Sequence, residues 1–349
     1  MHSPARFATT AAWLSFACVT PTALSASPSD PMHAPKRHSA SAFFNTTSYT
    51  MPGGFAWSPD NQQLLVSSDE TGIFNAYALT AANATKKPLT TSKTNSTFAV
   101  SWFPGDARAL FTADEGGNEI NHLFVRELSG ATRDLTPAPK AKASFAGWSR
   151  DDQSFYVLTN ERDPKSFDVY RYAAKDYART ELFRNAEAWE VDAVSPDGCY
   201  VALLKLRSSA DSDIYLLDTR VAKPTPQLIS KHEGDVAHGV FEFTPDSKQL
   251  VYSTDEYGEY TQAWSYDVAT SSKNAMVKAD WDVAFVTFSR SGRFRVWGIN
   301  EDARTAVHIL DVSSGREIAL RDLPPGDIAQ VRFSRRQAAR TDVELGHFT

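Results

Sequence analysis

The 349-residue sequence predicts an all-β protein: a β-propeller of about seven four-stranded blades, the last of them incomplete. Three observations lead there. One short signature recurs seven times, as Trp57-Ser58-Pro59-Asp60, Trp102-Phe103-Pro104-Gly105, Trp148-Ser149-Arg150-Asp151, Val194-Ser195-Pro196-Asp197, Phe243-Thr244-Pro245-Asp246, Phe288-Ser289-Arg290-Ser291 and Phe333-Ser334-Arg335-Arg336. Successive copies start 45, 46, 46, 49, 45 and 45 residues apart, the period of a blade. Between copies, short apolar runs alternate with turn residues, and no βαβ alternation occurs.

The first copy shows how each element arises. Phe55 and Trp57 alternate with small residues as in a strand, and Ser58-Pro59-Asp60-Asn61 makes a turn in which proline sets φ and Asp or Asn accepts the bend. Leu64-Leu65-Val66 suits a buried strand, and Ser68-Asp69-Glu70-Thr71-Gly72 is the next corner. Ile73 to Leu79 returns as a third strand, and Lys86-Lys87-Pro88-Leu89-Thr90 is polar enough for an outer edge. The corner recurs as Ala113-Asp114-Glu115-Gly116-Gly117 and Thr254-Asp255-Glu256-Tyr257-Gly258. Trp57, Trp102 and Trp148 share one repeat position, where large rings fill the wedge between blades.

Residues 1–26 read as an export signal, with Arg6, an apolar stretch from Ala11 to Val19 too short to span a bilayer, and small residues at Ala23, Ser25 and Ala26 for cleavage. Residues 27–42 read as a linker, 43–334 as the propeller and 335–349 as an aberrant, disordered tail. The expected location is periplasmic or secreted, with no membrane span in the mature form. Loss of Cys18 with the signal leaves Cys199 alone, without an intrachain disulfide partner or a histidine placed to activate it. Asn45, Asn83 and Asn95 open glycosylation sequons, relevant only in a eukaryotic secretory route.

The net charge of −6, with no basic stripe among the aromatics, excludes nucleic acid as the expected partner. No two glycines lie four positions apart, so the Gly-x-Ser-x-Gly nucleophile elbow is absent. His122, His232, His238 and His308 are scattered and have no nucleophile to serve; no His-Glu-x-x-His motif, thiolate set or Gly-x-Gly-x-x-Gly occurs. The sequence thus names no catalytic, cofactor-binding or metal-binding residue, and its substrate-binding residues are unknown. Asp69-Glu70, Asp114-Glu115, Asp255-Glu256 and Glu301-Asp302 occupy matching corners and could form a carboxylate ring; repetition in blade after blade favours a structural role in loop hydrogen bonding. Asn160-Glu161-Arg162-Asp163-Pro164 departs from the repeat and reads as a salt-bridged hairpin tip more readily than as a substrate contact.

The stretches Gly117 to Glu127, Phe145 to Ser149, Thr159 to Pro164 and Asn300 to Thr305 resemble the propeller of bacterial serine peptidases in the prolyl oligopeptidase group, related to acylaminoacyl peptidases and dipeptidyl aminopeptidases, from about Phe43 to Ser334. The Ser-Pro-Asp-Gly turns also resemble TolB-type and WD40-like propellers. The peptidase resemblance implies a noncatalytic domain that admits peptides to a hydrolase domain and excludes folded proteins; alone, this chain is expected to hydrolyse nothing. The TolB resemblance implies instead a free-standing propeller that binds a protein partner. An apolar strand should follow Phe333-Ser334, yet the chain reads Arg335 to Thr349, as a truncated or frameshifted gene product would. An open last blade would expose a strand edge and favour self-association.

Overall fold

Among the described residues, 24 short strands make six antiparallel four-stranded sheets, each a simple meander of four consecutive strands. The computed structural model describes residues 37–320, 328 and 330–334. A five-residue helix, α1 (Ala40–Phe44), lies in a short N-terminal unit that ends at Thr46, and the sheets follow in a second unit. The signal segment, most of the linker and the tail from residue 335 fall outside the described residues, as does residue 329.

In the first sheet, β1 (Tyr49–Thr50) pairs with β2 (Gln63–Ser68), which pairs with β3 (Asn75–Thr80), and β4 (Lys86–Pro88) forms the exposed edge. The apolar run Leu64-Leu65-Val66 is the centre of this sheet, as its composition requires. The Phe55–Trp57 stretch differs from expectation. It contributes only a bridge from Trp57 to Leu64 and a bond from Leu65 N–H to the Ala56 carbonyl at 2.7 Å, because Gly54 and Phe55 bond to the second sheet. Gly54 N–H donates to the Val100 carbonyl at 2.9 Å, and Trp102 N–H donates to the Phe55 carbonyl at 2.9 Å. Gly54 is required there, since a Cβ would lie 2.6 Å from the Ser101 Cβ.

The repeated signature has a physical account. The hydroxyl at its second position donates to the aspartate two residues on, at 2.6 Å in the Ser58–Asp60, Ser149–Asp151 and Ser195–Asp197 pairs and 2.7 Å in Thr244–Asp246. The same oxygen accepts the N–H that opens the second strand, from Gln63, Ser154, Tyr200 and Gln249 at 2.9 to 3.0 Å. One hydroxyl and one carboxylate thus satisfy the turn between first and second strands.

About seven blades, the last incomplete, were expected, and six are found among the described residues. The seventh signature, at Phe333-Ser334, carries no strand. Its apolar residues are instead absorbed by the sixth sheet: Val331 is buried with Phe294, Val296 and Ile309, and the Phe333 ring stacks on Phe294 at 5.5 Å. Arg332 Nε donates to the Pro52 carbonyl at 3.0 Å, so this segment touches the first repeat as well as the last. A signature marks an inner strand, and a blade also needs the three strands that follow it.

Adjacent sheets bury apolar faces against each other, as in a ring of wedges. Trp102 is buried between the first and second sheets with Leu65, Ala78 and Ala99. Trp148 packs edge-on against Phe103 at 5.0 Å and stacks on Phe55 at 6.1 Å, while its indole N–H donates to Ser101 Oγ at 2.8 Å. The recurring tryptophans are therefore packing residues.

Candidate functional site

The first strands of the third to sixth sheets surround a central cavity of about 340 Å³, lined also by residues 53–56 and by Val331, Arg332 and Phe333. The residue just before each signature marks one ring of positions: Ala56, Ser101, Gly147 and Ala193 are small, whereas Glu242, Thr287 and Arg332 are polar. A structural position should repeat, so this break in symmetry is where a specific interaction is to be sought.

Glu242 lies in β17 (His238–Phe243), next to a bulge that shifts register between Val240 and Glu242 and turns side chains towards the axis. Its Oε1 accepts the Phe288 N–H at 2.8 Å and its carboxylate is hydrogen-bonded by Thr287. Burial outweighs these bonds and pushes the carboxyl up to about 7, while the Arg332 guanidinium opposes the rise. Burial depresses Arg332 in turn, with Glu242 offsetting part of the effect. Asp192 lines the same cavity from the bulge of β13 (Glu190–Val194); water reaches it, yet the surrounding wall and then Glu190 push it up to about 6.

Cross-ring contacts gather where the signature turns meet. Arg290 in the sixth repeat donates to the Arg150 carbonyl at 2.9 Å and pairs with Asp152 at 2.7 Å in the third. Arg150 N–H donates to the Pro196 carbonyl at 2.6 Å, and Asp197 N–H to Ser247 Oγ at 3.0 Å. Turns of four sheets are thereby tied together at one end of the cavity.

The other sequence candidates take structural roles. Asp69 accepts the Ser48 N–H at 2.7 Å and Asp255 the Ala237 N–H at 2.8 Å, tying each corner to the start of its sheet's first strand, while Asp114 accepts Glu119 N–H from its own loop at 2.8 Å. Arg162 forms a two-pronged pair with Asp168 at 2.7 and 2.8 Å, and Glu161 pairs with Arg179, as a salt-bridged hairpin requires. Burial pushes the Cys199 thiol up, away from the reactive thiolate. His122 pairs with Asp134 at 2.7 Å and His308 stacks on Trp297.

Two histidines that looked scattered are brought together. The His232 and His238 rings lie 5.2 Å apart, both side chains almost wholly buried. His238 Nδ1 meets the Ser212 carbonyl at 2.8 Å, and burial pulls this imidazole down. Among the described residues, no three His, Cys, Asp or Glu side chains are grouped to hold a metal ion, and no helix is long and apolar enough to cross a membrane.

Fold and cavity together define a β-propeller whose axial symmetry is broken by a few polar side chains. The chain is 28% identical over 236 residues to dipeptidyl aminopeptidase BIII of Pseudoxanthomonas mexicana, covering 64% of this chain and 32% of that one. The likeness to the propeller of prolyl oligopeptidase-type serine peptidases is thus borne out by a curated relative, of whose length the chain spans about a third. No family model matches the sequence. Among solved structures, an oligogalacturonate lyase in complex with manganese superposes with TM-score 0.60 at 13% identity, over 78% of this chain and 77% of that one. A prolyl endopeptidase gives 0.57 at 14% identity, over 80% and 44%, and a puromycin-hydrolyzing peptidase of Mycobacterium tuberculosis 0.57 at 12%, over 81% and 51%. These structures share the fold.

Proposed function

We propose that this chain is the noncatalytic, substrate-screening propeller of a prolyl oligopeptidase-like serine peptidase, working in the periplasm or outside the cell. The sequence similarity to dipeptidyl aminopeptidase BIII carries the reading. The cavity supports it on physical grounds. A space of about 340 Å³ accepts part of one extended peptide and no folded domain, and Glu242, Thr287, Arg332 and Asp192 offer such a chain both donors and acceptors. Hydrolysis is assigned elsewhere, because the sequence holds no nucleophile elbow. Purified protein should therefore release no chromophore from aminoacyl or prolyl p-nitroanilides and take no label from a fluorophosphonate. A labelled serine would refute the noncatalytic assignment.

A further inference from the structure

Seven residues after each signature begins, the second strand places a side chain directly opposite the signature residue. That position is Leu64, Ala109, Phe155, Val201 and Leu250 in the first five sheets, all buried and apolar. In the sixth it is Arg295, paired with Phe288. Arg295 lies in β22 (Phe294–Glu301) and lines a cleft of about 980 Å³ between the fifth and sixth sheets.

The other cations of this cleft are engaged. Arg290 pairs with Asp152, Arg293 with Asp311 at 2.9 Å, and Lys248 with Asp246 at 3.8 Å, while Arg150 reaches the Asp246 carbonyl. Among the described residues, Arg295 has no such partner. Its Nε–H is shut off from water with no acceptor. Burial depresses its guanidinium with no carboxylate opposing the effect, and its one favourable neighbour is the Trp297 ring at 5.6 Å. Arg295 is half-buried, and an Nε–H with neither water nor acceptor is a cost that an apolar residue at this position, packed as in five other sheets, would not carry.

We propose that the cleft between the fifth and sixth sheets is a binding site for an oxyanion-bearing ligand, a carboxylate or a phosphate, organised by Arg295. The planar fork of arginine matches both groups bidentately, and Met276, Phe288 and Val312 give the cleft apolar walls suited to a ligand with an apolar body. The cleft shares Phe288 and Arg290 with the wall of the axial cavity, and the proposal does not rest on any role in proteolysis.

The test uses the full chain in thermal unfolding, with inorganic phosphate and with acetate titrated at ionic strength held constant by sodium chloride. The unfolding midpoint should climb steadily with the logarithm of oxyanion concentration for at least one of the two. Response to phosphate alone assigns a phosphate ester; response to acetate assigns a carboxylate, as at a peptide end. Arg295→Met, which restores an apolar residue, should abolish the response and leave the unliganded midpoint equal or higher. If that variant fails to fold, Arg295→Gln serves for the loss of response. An equal rise in the variant, or no rise with either anion in the unaltered chain, would overturn the proposal.

Discussion

Replacing Glu242 by glutamine should stabilise the propeller at alkaline pH and leave it nearly unchanged at pH 4. Glu242 is held at about 7 in the folded chain against 4.5 for a free carboxyl, a displacement worth about 3 kcal/mol. A carboxyl whose folded value is raised contributes stability that is complete below 4.5 and is lost as pH rises through about 7. Glutamine keeps an oxygen for the Phe288 N–H but cannot ionise. Urea unfolding at pH 4 and pH 8.5 should therefore give nearly equal free energies for the two proteins at the lower pH. At the higher, the variant should gain on the order of 2 kcal/mol, less than the whole displacement because Arg332 loses its counter-charge. Parallel pH profiles would refute the reasoning, since they would show that Glu242 titrates at its ordinary value.

Three further outcomes follow from packing and burial. Trp148→Ala removes a ring wedged among Phe55, Phe103 and Phe155 and one of the hydrogen bonds to Ser101 Oγ; denaturant unfolding should show a loss of about 3 to 5 kcal/mol, with an unchanged midpoint counting against the wedge. Gly54→Ala forces a Cβ to within 2.6 Å of Ser101 and should cost about 1 to 3 kcal/mol by the same assay; a neutral effect would mean that Gly54 does not pack on the second sheet. His238 is pulled below its ordinary 6.5, so the unfolded chain protonates first and stability should fall as pH drops below 6.5. His238→Asn, which keeps a donor for the Ser212 carbonyl, should flatten that fall, and an identical acid limb in both proteins would exclude His238 as its source.

The repeat was legible because one turn chemistry, a hydroxyl and an aspartate, solves the same hydrogen-bonding problem in sheet after sheet. The blade count was not, because the described apolar residues at the seventh signature, Val331 and Phe333, bury themselves against Phe294. The axial polar group was within reach of the sequence: aligning the residue before each signature isolates Glu242, Thr287 and Arg332 against alanine, serine and glycine. Aligning the position seven further on isolates Arg295 in the same way. The His232–His238 pair could not be read, since it depends on how a long connection folds back on the fifth sheet.

The most direct test of the screening role is photo-crosslinking of the purified chain with an extended peptide of roughly ten residues, about 35 Å long, that carries a benzophenone near its middle. The adducts are mapped by mass spectrometry, alongside a small folded protein bearing the same group. The account predicts peptide adducts on the wall of the axial cavity, at Ala193, Glu242, Thr287 or their neighbours, and none there from the folded protein. Peptide adducts confined to the outer strands, or cavity adducts from the folded protein, would contradict it.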